Sequence, residues 1–152
     1  MALLLNRSDV QKLLPMSKAI DVVEAAFGEL SAGTAEMPDR TVMIDPAVGG
    51  WIAYMPAYLK SGGALGIKAV TVYKENPTKF GLPTTIGTIL VQDNKTGVVV
   101  AAMDGGLLTG VRTGASGGVA TKHLARKDSK VAGVLGTGVM ARSPVLALAE
   151  SA

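Results

Sequence analysis

The first thirty residues carry apolar side chains at helical spacing. Ser8–Gln11 fits a capping box, so a short helix is predicted up to Leu14, and Pro15 ends it. A second helix is predicted to run to Leu30. One apolar stripe of this helix is predicted to be buried, and it consists of Ile20, Val23, Phe27 and Leu30. Before both helices, Leu3–Leu5 predicts a strand or a packed arm.

From Pro38 onward the pattern changes to one that is typical of strands. Turn residues such as Asp45-Pro46, Gly49-Gly50 and Ser61–Gly63 separate the segments. The predicted strands are Arg40–Ile44, Trp51–Leu59, Ala64–Tyr73, Thr84–Gln92 and Val98–Met103. Because most turns are short, we predict an antiparallel meander. The longest connection, Lys74–Pro83, is polar and long enough to carry a function.

A glycine-rich segment, Asp104–Arg126, predicts a helix with Asp104 as its N-cap. Each glycine disfavours a helix by up to about 1 kcal/mol relative to Ala, so the large number of glycines needs a structural reason. Gly110, Gly114 and Gly118 are spaced four residues apart and share one side of the helix. Such a smooth side lets another backbone or a ligand approach closely.

The last part of the chain has the pattern of the opening of a dinucleotide-binding unit. Val131–Leu135 predicts a buried strand, and Gly136-x-Gly138-x-x-Ala141 follows it at the start of a predicted helix. Gly136 would allow a sharp turn, Gly138 would let the backbone approach a pyrophosphate, and Ala141 would let the helix pack closely. The helix N-terminus would present its free N–H groups to the phosphate. The alternative is an ordinary glycine-rich connection between a strand and a helix.

This unit is incomplete within the chain. The residue that binds the adenosine ribose normally lies about 20 residues beyond the glycines, whereas the sequence ends at Ala152. We expect either a piece of a longer protein or a shortened relative. By itself the chain is expected to bind NAD or NADP at millimolar concentration or not at all, because the ribose site and the neighbouring strands are missing.

Composition argues against several classes of function. With 48% hydrophobic and 18% charged residues, the chain has enough apolar content for a packed core. The net charge of +3 is modest and the basic residues are scattered, so nucleic-acid binding is not expected. The absence of Cys excludes thiolate chemistry, and a single His argues against a His-based metal site. No signal peptide or membrane-spanning run is recognisable, and we expect a cytoplasmic protein.

Two charged residues are out of place in a purely structural protein. Lys68 lies within an otherwise apolar strand, so it must be paired, reach an edge or face a ligand pocket. Arg112 is the only charged residue between Asp104 and Lys122, and its guanidinium suits a carboxylate or a phosphate. The alternative for Arg112 is a buried salt bridge, for example to Asp104 or Glu75.

Arg40 and Thr84 are less informative when each is taken alone. Arg40 opens a strand, where a charge is usually solvated, and Thr84 follows a Gly-Leu-Pro turn at the start of another strand. Together with Lys68 and Arg112, however, they suggest a cationic pocket beside a dinucleotide fold. Such a pocket suits a small carboxylate substrate and hydride chemistry.

Four segments carry a resemblance to a known family. They are Gly66-Ile67-Lys68, Asn76-Pro77 with Gly81–Thr84, Leu108–Ala115 and Gly133–Gly138. In these segments and in their order, the chain resembles the ornithine cyclodeaminase/μ-crystallin family, which also contains alanine dehydrogenases and ketimine reductases.

The resemblance implies an α/β protein with two domains. Residues 1–126 would form an α+β domain for substrate binding and dimerisation, with a mostly antiparallel sheet. Residues 127–152 would begin a truncated Rossmann domain. The resemblance also implies a homodimer, NAD or NADP as the cofactor, and a small amino acid or imine as the substrate, without a metal, a nucleic acid or a membrane as a partner.

The same resemblance implies roles for individual residues. Arg40, Lys68 and Arg112 would line the substrate site, where the two arginines hold the carboxylate and Lys68, as the catalytic residue, lies near the reacting amine or imine. The implied cofactor-binding residues are Thr84, Arg112, Gly136, Gly138, Val139 and Met140. The family usually has Gln where Met140 stands, so one polar contact near the cofactor would be lost.

The chemistry that the resemblance implies is hydride transfer between an amino-acid Cα and the nicotinamide, through an imine. A cyclodeaminase closes a ring and releases ammonia, a dehydrogenase hydrolyses the imine to an oxo acid, and an imine reductase only reduces it. The family's catalytic acidic residue lies in the second half and is absent from this chain. The alternatives are a non-enzymatic, crystallin-like binding protein and an inactive fragment.

Overall fold

The computed structural model describes residues 1–151, which form seven strands and five helices. In chain order they are β1 (Leu3–Leu5), α1 (Arg7–Leu13), α2 (Met16–Ser31), β2 (Ala35–Glu36), β3 (Thr41–Asp45), β4 (Gly50–Leu59), β5 (Ala64–Tyr73), α3 (Asn76–Lys79), β6 (Thr85–Asp93), β7 (Val99–Asp104), α4 (Gly105–Leu124) and α5 (Val139–Ser151).

The strands form one seven-stranded sheet in the order β1-β7-β6-β5-β4-β2, and β3 pairs with another part of the outer edge of β4. From β3 to β7 each strand is antiparallel to the next, so the predicted meander is confirmed. Only β1 runs parallel to its neighbour, β7. The predicted combination of helices with a mostly antiparallel sheet is also confirmed.

All the helices that contact α4 lie on one side of the sheet. A methyl group added at Gly87 would lie 3.2 Å from the carbonyl carbon of Gly105, so the start of α4 touches this side of the sheet backbone to backbone. The helices α1, α2 and α5 pack against α4. The main core therefore lies between helices, and it consists of Ala19, Ile20, Ala115, Val119 and Ala147.

The two faces of the sheet differ in burial. Because paired residues of neighbouring strands share a face, Ala53, Val70 and Gly87 lie together on the side of α4, and all three are buried. On the opposite face, which we call the uncovered face, Gly50 is the only buried strand residue within residues 1–151. Apolar side chains of that face, including Tyr54 and Ile86, remain exposed.

The start of the chain departs from the sequence prediction in two respects. The capping box is formed by Asn6 and Asp9 rather than by Ser8–Gln11, since Asn6 Oδ1 accepts from the Asp9 amide and Asp9 Oδ2 accepts from the Asn6 amide. The predicted stripe of α2 is buried only in part. Ile20 is buried, but Phe27 and Leu30 are exposed because α2 packs on α4 through its first half.

The predicted strand Val131–Leu135 is wrong. The segment is not part of the sheet, and Val131 and Leu135 are 91% and 100% exposed. A buried parallel strand needs neighbouring strands and helices on both faces, and the described part of the chain offers it none. The helix that was predicted to follow does form, as α5, and it continues through Pro144.

The glycines of α4 accommodate α5. Methyl groups added at Gly110, Gly114 and Gly118 would lie 3.0 Å from Val139 Cγ1, 2.6 Å from the carbonyl carbon of Ser143 and 3.0 Å from Ala147 Cβ, respectively. The predicted close approach of a second backbone is therefore confirmed. Since residue numbers increase together on both helices, α4 and α5 run parallel, and rows of residues four apart face each other.

Gly114→Ala should therefore loosen the contact between α4 and α5. The added methyl group would overlap the backbone of Ser143, which cannot rotate away as a side chain can. We expect a loss of about 1–3 kcal/mol in the free energy of unfolding, which exceeds the gain of roughly 0.5–1 kcal/mol that Ala brings within a helix. Urea denaturation measures this change.

The matched control for this prediction is Gly117→Ala on the same helix. A methyl group at Gly117 would meet only Pro144 Cβ, at an ordinary contact distance of 3.7 Å. Gly117→Ala should stabilise the chain by up to about 1 kcal/mol through helix propensity. If the two variants had equal stability, the assigned packing of α5 on α4 would be incorrect.

Candidate functional site

The site begins with a row of residues that crosses the sheet on the side of α4. Lys68 at the centre of β5 lies opposite Met55 of β4 and Ile89 of β6. Thr41, the first residue of β3, pairs with Tyr54, so one further step along this ladder brings Arg40 opposite Met55. Arg40 and Lys68 therefore lie in one row, separated by a single apolar residue.

Arg112 reaches the same region from above the sheet. Arg112 lies about two helical turns after Gly105, so the two residues lie on the same side of α4. This side faces the sheet, because Gly105 touches Gly87. The side chain of Arg112 is exposed. Lys68 is half-buried beneath it.

The electrostatics of Lys68 connect the three residues. Burial lowers the pKa of its ammonium group below the ordinary value, and the positive charges of Arg112 and then Arg40 lower that pKa further. Both guanidiniums are therefore close enough to repel Lys68. We call Arg40, Lys68 and Arg112 the cation cluster.

The cation cluster has no internal counter-ion. Among residues 1–151, none of its three side chains forms an ion pair or a hydrogen bond. The alternative that Arg112 is held by Asp104 or Glu75 is wrong, because Asp104 caps α4 by accepting from the Leu107 amide and Glu75 pairs with Lys79. Three positive charges without a counter-ion, one of them on a half-buried lysine, favour an anionic ligand.

The glycine loop 136–141, which we call the phosphate loop after its predicted role, is open to a ligand. Gly136 has a φ of 97°, a conformation that favours glycine, and no atom of the described chain lies within 4 Å of a methyl group added at Gly136 or Gly138. The first turn of α5 closes with the amides of Ala141 and Arg142 donating to the Gly138 carbonyl. A cleft of about 380 Å³ borders this loop. The loop therefore offers the exposed backbone that a pyrophosphate requires.

The parallel arrangement of α4 and α5 relates the loop to the cation cluster. Val139, the first residue of α5, contacts Gly110, and Arg112 lies only two residues further along α4. The phosphate loop and Arg112 thus lie at the same end of the helix pair. Met140, which follows Val139, is 52% exposed, and its side chain offers no polar contact.

Thr84 lies apart from the cation cluster. Its carbonyl accepts from the Tyr73 amide at the end of β5, five positions and about 17 Å along the strand from Lys68. The connection before it is braced by Asn76, whose buried side chain donates to the Pro83 carbonyl at 3.1 Å. The long polar connection Lys74–Pro83 therefore has its own short helix, α3, and a fixed end at Thr84.

Sequence reasoning assigned no role to three residues near these sites. Met55 and Asn76 acquire their positions only through strand register and loop closure, although the Asn76-Pro77 pair signalled a turn. Arg142 follows the glycine pattern directly and borders the cleft of the phosphate loop.

No group of three His, Cys, Asp or Glu residues in the described chain is placed to hold a metal ion. None of the described helices has the length and apolar character that crossing a bilayer requires.

Comparison with known proteins identifies the family. Residues 1–152 match the sequence profile of the ornithine cyclodeaminase/mu-crystallin family. The chain belongs to this family. A curated relative, the alanine dehydrogenase of Archaeoglobus fulgidus, is 39% identical over 139 residues, which is 91% of this chain and 42% of the relative.

Solved structures of this family agree with the fold. Thermococcus litoralis Delta(1)-pyrroline-2-carboxylate reductase, in complex with NADH and L-proline, is 50% identical with a TM-score of 0.90 over 98% of this chain and 46% of its own. An archaeal alanine dehydrogenase dimer with bound NAD is 37% identical with a TM-score of 0.92 over 99% of this chain and 45% of its own. The chain therefore spans less than half the length of these family members.

Proposed function

We propose that residues 1–152 are the N-terminal part of an NAD- or NADP-dependent enzyme that transfers hydride at the Cα of a small amino acid or imine. The observation that carries this proposal is the cation cluster, which has no acidic partner within residues 1–151 and lies at the same end of α4 as the phosphate loop. Family membership supports the same chemistry, as do relatives that are an alanine dehydrogenase and a pyrroline-2-carboxylate reductase.

The cation cluster has two roles in the proposed reaction, carboxylate binding by the arginines and proton exchange by the lysine. The planar guanidiniums of Arg40 and Arg112 suit the substrate carboxylate, since each can donate two parallel hydrogen bonds. Lys68 is more buried than either arginine and would face the carbon that carries the amine or imine. Its lowered pKa makes proton exchange with a substrate nitrogen easier near neutral pH than it is for an ordinary lysine.

The residues proposed to hold the cofactor belong to two parts of the chain. Gly136, Gly138, Val139 and Met140 would bind the pyrophosphate through backbone amides at the start of α5, and the open space around both glycines supports this assignment. Thr84 and Arg112 are also proposed to lie near the cofactor, Arg112 on the substrate side and Thr84 at the end of β5, apart from the cation cluster. When bound, the nicotinamide supplies the hydride chemistry.

One observation favours the alternative that this chain alone is inactive. The segment that would form the first strand of the Rossmann domain, Val131–Leu135, is exposed and unpaired within residues 1–151. The phosphate loop is therefore not held by a sheet. We accordingly assign the activity to the full-length enzyme, meaning residues 1–152 together with the remainder of the proposed protein.

Turnover by the full-length enzyme tests the proposal. We expect NADH or NADPH oxidation that depends on a cyclic imino acid or on an oxo acid with ammonia, followed by absorbance at 340 nm, and reversal with the amino acid and the oxidised cofactor. The matched control replaces the substrate with its carboxamide, which the cation cluster should not bind well. If no carboxylate substrate were turned over while the protein was folded, a non-enzymatic binding role would replace this proposal.

We also propose that the protein forms a homodimer through the uncovered face. This face carries apolar side chains, yet no helix of the described chain packs on it. No large side chain in residues 1–151 is completely buried, so much of the apolar surface lacks a partner. One similar structure is that of an alanine dehydrogenase dimer, which is consistent with this proposal.

Ile86→Lys should therefore shift the protein from dimer to monomer. Ile86 lies on the uncovered face and is 40% exposed, and a buried lysine there would oppose association. Light scattering at micromolar concentration measures the change in mass. The control, Val22→Lys on the exposed side of α2, should remain a dimer. A folded monomer in the unmodified protein would contradict the proposal.

A further inference from the structure

The cleft beside the phosphate loop contains one charged residue. Its lining consists of Val134, Gly136, Thr137, Ala141, Arg142 and Val145, so the only charge is that of Arg142. The two residues at the start of α5, Val139 and Met140, have apolar side chains. An anion in this cleft would therefore find backbone amides, the hydroxyl of Thr137 and, as the one charged group of the lining, the guanidinium of Arg142.

The guanidinium of Arg142 is oriented by the loop itself. Its Nε donates to the Thr137 carbonyl at 3.1 Å, and this bond ties the helix to the residue between the two glycines. Among residues 1–151, Arg142 forms no ion pair. The two terminal nitrogens have no hydrogen-bond partner in the described chain, so they remain available to an anionic ligand.

We propose that Arg142 is a diphosphate-binding residue that supplies the positive charge of the phosphate loop. Its Nε holds the loop in shape, and its terminal nitrogens donate to the phosphate oxygens of the dinucleotide. The assignment rests on the proposed function, because it concerns the cofactor of the same site. It adds a charged side-chain ligand to a loop that otherwise offers backbone N–H groups, the Thr137 hydroxyl and a helix dipole.

The test uses the 152-residue chain and inorganic pyrophosphate as the probe, with NMR detection of millimolar binding. In the unmodified chain we expect pyrophosphate to shift the amide signals of Gly136, Gly138 and Val139. Arg142→Met should weaken binding about tenfold or more, and Arg142→Lys should weaken it less because the charge remains. The control Arg126→Met removes an equal charge from the linker between α4 and α5, residues 125–138, where the side chain of Arg126 is 85% exposed. It should change the affinity less than twofold.

The dependence of binding on salt separates contact with the anion from a structural role. If Arg142 contacts the diphosphate, the affinity of Arg142→Met should fall less steeply with ionic strength than that of the unmodified chain. An unchanged salt dependence would mean that Arg142 only braces Thr137, and would overturn the assignment. Pyrophosphate binding by Arg142→Met within twofold of binding by the unmodified chain would also overturn the assignment. So would the absence of any shift of the loop amides in the unmodified chain.

Further titrations distinguish the source of the diphosphate and keep the two proposals separate. NAD and ADP-ribose should show the same dependence on Arg142 as pyrophosphate, whereas inorganic phosphate should bind more weakly and depend on Arg142 less. A preference for inorganic phosphate would overturn the diphosphate assignment. Pyrophosphate binding without turnover in the full-length enzyme would leave the role of Arg142 intact and overturn the proposed function.

Discussion

Replacing Lys68 with Met should remove most of the turnover of the full-length enzyme while its fold is retained. Lys68 lies in the centre of β5 and forms no ion pair within residues 1–151. Loss of a group that exchanges protons with the substrate typically lowers a rate by about 10²–10⁴-fold. Steady-state assays of kcat and kcat/KM measure this loss, and Lys95→Met in the exposed turn after β6 is the matched control.

The stability of this variant separates a site residue from a structural one. Burial and the two arginines disfavour the ammonium form of Lys68, so the native state binds fewer protons than the unfolded state between the lowered pKa and the ordinary one. Stability should therefore rise with pH across that interval, and below it the buried charge is a penalty. Met removes the penalty, so the thermal midpoint should stay within a few degrees or increase. Full activity in Lys68→Met would overturn the catalytic assignment.

Arg112→Lys should weaken substrate binding although the positive charge is kept. The ammonium group of lysine cannot reproduce the planar pair of donors that a guanidinium offers to a carboxylate. We expect a loss of roughly 1–3 kcal/mol, which corresponds to about a five- to 150-fold increase in KM. Initial-rate measurements over a range of substrate concentrations determine this change.

The specificity of the Arg112 effect can be checked with an uncharged substrate. The penalty of Arg112→Lys should largely disappear for the corresponding carboxamide, which has no carboxylate to bind. Arg126→Lys in the exposed linker should leave both substrates unaffected. An equal penalty for acid and amide would indicate that Arg112 acts on the structure of α4 and does not bind the carboxylate.

Local sequence patterns were sufficient for most of the secondary structure. The strands of the meander are mostly apolar runs separated by turn residues, so their order and antiparallel pairing could be predicted. Asp104 was recognised as a cap because its side chain needs only neighbouring amides, here that of Leu107. The cap at Asn6 was missed because Ser8–Gln11 carries a similar local signal two residues later.

Patterns that depend on distant neighbours were predicted less well. Val131–Leu135 has the composition of a buried strand, but a strand forms only when other strands pair with it, and the described chain provides none there. Phe27 and Leu30 continue the apolar stripe of α2, yet only the first half of that helix is covered by α4. In both cases the local pattern is compatible with burial and the tertiary structure lacks the partner.

The sequence by itself determined which residue types were available for chemistry: an isolated lysine in an apolar strand, an isolated arginine in a glycine-rich helix, and a glycine loop before a helix. Only the tertiary structure decided that Arg40, Lys68 and Arg112 form one cluster, because strand register and the contact of Gly105 with Gly87 set their separation. It also decided that the smooth side of α4 receives α5. Close backbone contact between elements distant in sequence depends on three-dimensional packing, which no local periodicity encodes.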